Sequence, residues 1–240
     1  MGKKYSSADT VNAITNAFNK NVSQAYNEDC INWSGDTSDT NKKYTEVIAK
    51  EILSKHLQKL QKRSNGGEID EITRNKSYFT ETHDCSPLEK AKKYDEEHYA
   101  MLLKKQGKIY GIGEILDYQI PLKDKQGDGV GKIDLLAYDR EKKILRILEL
   151  KKPNSKETLL RCVLEGETYK SIVDHDKLKK DFGICENNVK VVACPLIFDT
   201  GNPYNNYQEM LGGKLPFLHK LIKKLKQEVF VIGKGFARMK

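Results

Sequence analysis

Residues 131–152 read GKIDLLAYDREKKILRILELKK, two apolar runs separated by the charged stretch Asp139-Arg140-Glu141-Lys142. Short runs rich in Ile and Leu, bounded by turn chemistry, are strands, and two so close together pair as an antiparallel hairpin. Side chains alternate faces along a strand. Leu145, Ile147, Glu149 and Lys151 therefore share one face of the second strand, and Ile144, Arg146, Leu148 and Leu150 share the other. Both faces are mainly apolar, so this strand belongs in the middle of a sheet, and Glu149 and Lys151 end a row that begins buried. If residues 138 and 143 close the hairpin as a pair, Asp134 faces Ile147, and Glu149 is its diagonal neighbour on the same face. A loop one residue longer or shorter would put the two carboxylates on opposite faces.

The flanking text supplies the remaining layers. SPLEKAKKYDEEHYAMLLKKQG (86–107) predicts one helix, capped by Ser86, with Pro87 in its first turn and Gly107 as its stop. GEILDYQIPL predicts a strand ending at Pro121, followed by a loop. ETLLRCVLEGETYKSIVD (157–174) predicts a helix with an apolar stripe, VKVVACPLIF a buried strand, LPFLHKLIKKLK a basic amphipathic helix and EVFVIG a last strand. Helix, three strands, helix, strand, helix, strand makes a mixed α/β layer domain over residues 87–240. In residues 1–86, Val11, Ile14, Phe18 and Val22 recur at helical spacing, as do Ile48, Ile52, Leu53, Leu57 and Leu60. Such amphipathic helices need something to lie on, which makes this segment a helical extension rather than an independent domain.

Lys and Arg outnumber Asp and Glu by 42 to 34, a net charge of +8 that favours polyanionic partners, nucleic acid first. The five cysteines are scattered, with no CxxC or Cys/His spacing, which argues for reduced thiols in a cytoplasmic setting and against zinc. No apolar run approaches a membrane span.

Two carboxylates, Asp134 and Glu149, with the Lys151 ammonium beside them suit a hard divalent cation. Mg²⁺, or Mn²⁺ in its place, is content with oxygen ligands from two carboxylates plus waters and substrate phosphate. The competing reading is a strand-end salt bridge between Glu149 and Lys151. On either reading a strand-end lysine is expected to contribute little to packing.

Asp134 in GKIDLLAY and Glu149-Leu150-Lys151 in LELKK, between a helix before and a helix after, resemble the PD-(D/E)xK nuclease superfamily, the restriction-endonuclease-like fold. Ile133 stands where the family name has proline. The resemblance implies a metal-dependent phosphodiesterase acting on DNA, with RNA left open, Asp134 and Glu149 as metal ligands and Lys151 as catalytic lysine. Such nucleases often add a Glu from the helix before the sheet. Here Glu97, on a face with Tyr94 and Met101, is preferred to Glu96. Arg161 and Lys152 are candidate phosphate contacts, although Arg161 could equally pair with Glu165 at i+4. The alternative function is a catalytically silent nucleic-acid-binding or scaffolding protein on the same fold. A homodimer stays open.

Overall fold

The computed structural model describes residues 4–80, 95–124 and 131–233. The caps expected at Ser86 and Pro87, the 125–130 part of the loop before Asp134 and Cys85 lie outside the described residues.

Six strands form one sheet in sequence order: β1 (Lys108–Ile109), β2 (Gly113–Pro121), β3 (Lys132–Asp139), β4 (Ile144–Lys151), β5 (Lys190–Phe198) and β6 (Phe230–Ile232). β1 to β4 run antiparallel; β5 and β6 then join parallel to β4. Parallel neighbours need crossover connections. The first carries α4 (Leu159–Ile172) and α5 (His175–Asp181), the second α6 (Asn202–Leu211) and α7 (Pro216–Lys224). The hairpin closes at Asp139↔Ile144, with Lys143 at φ 53° finishing the loop, and continues to Leu135↔Leu148. Every pairing is thus displaced by two residues from the expected register, and continuing it sets Asp134 opposite Glu149 instead of Ile147. A shift of two preserves the face.

The sheet buries both surfaces. On one, Leu135, Ala137, Leu148, Leu150, Leu196 and Phe198 pack under α3 (Glu96–Gln106), with Tyr99, Ala100 and Leu103 facing them. Asp95 precedes that helix and Gly107 ends it at φ 78°. Arg146 is buried on this side, its Nη1 donating to Ile112 O at 2.6 Å and Asp139 Oδ2 at 3.3 Å. On the other surface Leu136, Tyr138, Leu145, Ile147 and Ile197 meet α4.

α4 buries the predicted stripe of Leu159, Leu160, Val163, Leu164 and Ile172 and more besides: Cys162, Glu167, Thr168, Tyr169 and Ser171 are buried too. The N-terminal segment covers its outer side. Thr158 donates to Ile31 O at 2.7 Å and Ser171 to Leu60 O at 2.8 Å. Ile14, Phe18, Ile31, Ile48 and Ile52 share one continuous core with the sheet. α1 (Ser7–Lys20) starts in a capping box formed by Ser6 and Asp9. α2 (Tyr44–Glu51) lies beside α7, and its Glu46 accepts from Phe217 N at 2.8 Å and Leu218 N at 3.3 Å. Those two N–H groups belong to the first turn of α7, where they lack helical partners. Glu46→Ala is accordingly expected to cost about 1 kcal/mol, a fall of roughly 2–4 °C in Tm for a chain of this size, readable by thermal melting.

α6 has no counterpart among the elements expected from sequence, and its TGNPYNNYQ stretch is rich in Asn with Gly and Pro. Gly201 and Pro203 start this helix instead of breaking one. Among the described residues no helix is long and apolar enough to cross a membrane.

Candidate active site

The carboxyl end of β4 carries Glu149 and Lys151 on the α4 side of the sheet, and both are only 3% exposed. Lys151 continues the row of Leu145 and Ile147, so the strand that buries those apolar groups carries the ammonium inside with them. Its Nζ donates to Glu149 Oε1 at 2.8 Å and to Glu165 Oε2 at 3.0 Å, and lies 2.9 Å from Glu157 Oε2. Burial alone would lower its pKa. Glu149 and Glu165 outweigh burial and hold it well above the usual lysine value, so the amine is protonated at every physiological pH.

Asp134 lies near the start of β3 and is buried, 9% exposed. Its Oδ2 accepts from Leu150 N at 2.9 Å, taking the place of a ladder bond, and its Oδ1 accepts from Gln119 Nε2 at 2.9 Å. Gln119 sits at φ 49°, a left-handed conformation that costs a non-glycine residue roughly 1 kcal/mol. The strain lies at the residue whose amide meets the carboxylate. Burial, opposed in part by Lys151, pushes the Asp134 carboxyl up to about 7. Burial together with the nearby Asp134 raises Glu149 well above the carboxylate range, and its Oε2 is a buried oxygen with no hydrogen-bond partner. Glu165 behaves oppositely: although buried, it is lowered, because Lys151 stabilises its charge.

α4 adds two further groups. Glu165 Oε1 accepts from Tyr169 Oη at 3.0 Å, and that hydroxyl lies 3.3 Å from Tyr26 Oη of the N-terminal segment. The chain enters β3 directly against Tyr169: a Cβ at Gly131 would stand 1.8 Å from its hydroxyl, so only glycine fits. One turn earlier, Arg161 lies 3.1 Å from Glu157 and 3.6 Å from Glu165, and donates to Asn27 Oδ1 at 3.0 Å. Glu96, Asp134, Glu149, Glu157 and Glu165 thus surround Lys151 and Arg161, five acidic groups to two basic ones in a mostly buried place. No protein-family model, no curated protein and no solved structure matches this chain. What the cluster does has to be read from its own chemistry.

The sequence-predicted Asp134, Glu149 and Lys151 come together, and Lys151 is enclosed instead of lying at an open strand end. The helix before the sheet presents Glu96, not Glu97. Glu96 accepts from Lys152 N at 3.3 Å and is raised by burial beside the cluster, whereas Glu97 is exposed. Adjacent helical residues point about 100° apart, and Glu96 shares a face with Tyr99, Ala100 and Leu103, the residues by which α3 packs on the sheet. Arg161 is engaged with Glu157 and Glu165, the ion-pair arrangement. Lys152 reaches outward to Asp95 at 3.1 Å and is half exposed. Glu157 and Gln119 had no sequence signal, the first being an acid in a polar loop and the second an ordinary strand residue.

Proposed function

We propose that this chain is a PD-(D/E)xK-type nuclease that hydrolyses phosphodiester bonds, in DNA first. Asp134 and Glu149 would hold Mg²⁺ or Mn²⁺, with Lys151 beside them. One observation carries the reading: Asp134, Glu149 and Lys151 converge from two strands in a buried cluster where carboxylates outnumber cations. Isolated charge in such surroundings is costly unless a proton or a cation neutralises it. The unpartnered Glu149 Oε2 is an oxygen available to a hard cation. Among the described residues no group of three or more His, Cys, Asp or Glu is arranged as a metal cage. Mg²⁺ commonly takes only one or two carboxylates, with waters and substrate phosphate oxygens completing its shell, so the pair fits. When bound, the cation neutralises phosphate charge and acidifies water.

The chain's own groups have separable parts in that chemistry. Glu149 and Glu165 keep Lys151 protonated and pointed, so that its N–H groups face the negative charge that develops on a phosphate. Glu165 is steadied by Tyr169, and the Leu150 N–H and Gln119 amide hold Asp134 in orientation. The order α3, four antiparallel strands, α4, parallel strand supports the restriction-endonuclease-like arrangement. The rival, a catalytically silent nucleic-acid binder, draws on the occupation of Lys151 by three acids.

Plasmid and single-stranded DNA incubated with purified protein in Mn²⁺ or in EDTA decide between them. Nicking in Mn²⁺ alone is the expected result, while binding without cleavage in either condition would establish the silent binder. Binding should also weaken steeply as salt rises, given the +8 charge. Failure to bind DNA at low salt would exclude both.

A further inference from the structure

Glu157 lies in the loop between β4 and α4, just ahead of the Thr158 cap, with its side chain 32% exposed. Its carboxylate is divided between two cations: Oε2 is 2.9 Å from Lys151 Nζ and Oε1 is 3.1 Å from Arg161 Nε. Neither contact is aligned as a hydrogen bond, and both Glu157 Oε2 and Arg161 Nε are buried atoms without a hydrogen-bond partner. The bonds from Lys151 to Glu149 and Glu165, by contrast, are well formed. Arg161 is also held without Glu157. It donates to Asn27, and its guanidinium lies over the Tyr26 ring at 5.8 Å. Both cations therefore keep their places if Glu157 leaves. Its departure needs only side-chain rotation, because its backbone N–H is bonded separately to Ser155 Oγ at 3.3 Å. An anion bridging an ammonium and a guanidinium is what a phosphodiester does when two of its oxygens are bound.

We infer that Lys151 Nζ and Arg161 Nε form a seat for one backbone phosphodiester of a nucleic-acid strand. In the free protein the Glu157 carboxylate occupies that seat and leaves it when the strand binds. The choice of a nucleic acid as the polyanion rests on the nuclease reading. Arg161 contributes an unmatched donor and Glu157 a repulsive charge, so removing that charge without changing side-chain shape should open the seat.

The test is the affinity of a fluorescein-labelled single-stranded oligodeoxynucleotide, read by anisotropy in EDTA at fixed salt. Glu157→Gln should bind about tenfold more tightly than wild type, since a like charge at contact distance is removed from a poorly screened place. Glu141→Gln removes the same charge from the exposed β3–β4 turn, at the far end of those strands, and should gain less than about twofold. Adding Arg161→Met to Glu157→Gln should return affinity to the wild-type level. Glu157→Ser, which can neither bridge the cations nor clash, carries the same expectation and covers a failure of the first variant to fold. A gain from Glu157→Gln no larger than that from Glu141→Gln, or one that survives loss of Arg161, overturns the seat. Because the assay contains no divalent cation, it stands apart from catalysis. Wild-type cleavage in Mn²⁺ with no gain from Glu157→Gln removes the seat alone; a gain without any cleavage in Mn²⁺ removes the nuclease reading alone.

Discussion

Lys151→Met should end cation-dependent cleavage and, in cation-free buffer near neutral pH, lower the melting temperature by about 10 °C. The sequence alone points to the opposite for stability, because a strand-end lysine at a cleft supports little. In the structure Lys151 is 3% exposed and faces Glu149, Glu157 and Glu165. Removing one partner from a buried ionic cluster leaves uncompensated charge and typically costs about 3–5 kcal/mol. For a chain of this length each kcal/mol is worth roughly 2–4 °C. The loss should shrink on acidification, since the deserted carboxylates can then take up protons. Thermal melts across pH, paired with plasmid nicking in Mn²⁺, check both halves. A variant that melts like wild type would contradict the buried clamp; one that nicks like wild type would remove Lys151 from the chemistry.

Asp134→Asn should also abolish cleavage but stabilise the cation-free protein. Burial, Glu96 and Glu165 raise this carboxyl from 3.8 to about 7, against the pull of Lys151. An acid whose folded pKa is raised contributes stability that is fully present below its unfolded pKa and is lost as pH rises to the folded one. Wild type should therefore lose stability between about pH 4 and 7 on account of this group. At about 1.4 kcal/mol per pKa unit, the penalty is on the order of 4–5 kcal/mol above pH 7. Asparagine does not ionise, and its oxygen can still accept from Leu150 N. The Gln119 amide can turn over and accept from the new NH₂. The expected difference is a gain of roughly 10 °C or more at pH 8 that vanishes near pH 4. Mn²⁺ should raise the melting temperature of wild type and not of the variant, closing the gap. A constant difference across this range would mean that Asp134 is ionised in the cation-free fold.

Much of the scaffold is readable because it follows from local periodicity. The apolar runs IDLLAY and ILRIL could hardly be anything but strands, and β2, β3, β4, β5 and α4 lie close to their predicted limits. The same periodicity places Asp134 and Glu149 on one face, and that conclusion survived an error of two residues in register because side chains repeat every two. α6 was hidden because Asn, Gly and Pro mark helix starts as well as loops.

What one strand or helix could not reveal is what other elements bring to it. Glu96 shares a face with Tyr99 and Leu103 and Glu97 one with Met101, all apolar, so only the packing of α3 on the sheet chose between the two glutamates. The burial of α4 on nearly every side depends on the N-terminal segment, whose helices carry no mark of where they will lie. The clamp of Glu149, Glu157 and Glu165 on Lys151 joins a strand, a loop and a helix. The sequence by itself determined the hairpin, its central place in the sheet and the presence of two carboxylates and an amine at one end. Only the tertiary structure decided that these charges are buried. Burial is a property of the layers stacked over a strand, and it turns an ordinary surface ion pair into a cluster of shifted protons, an unpartnered oxygen and an enclosed ammonium.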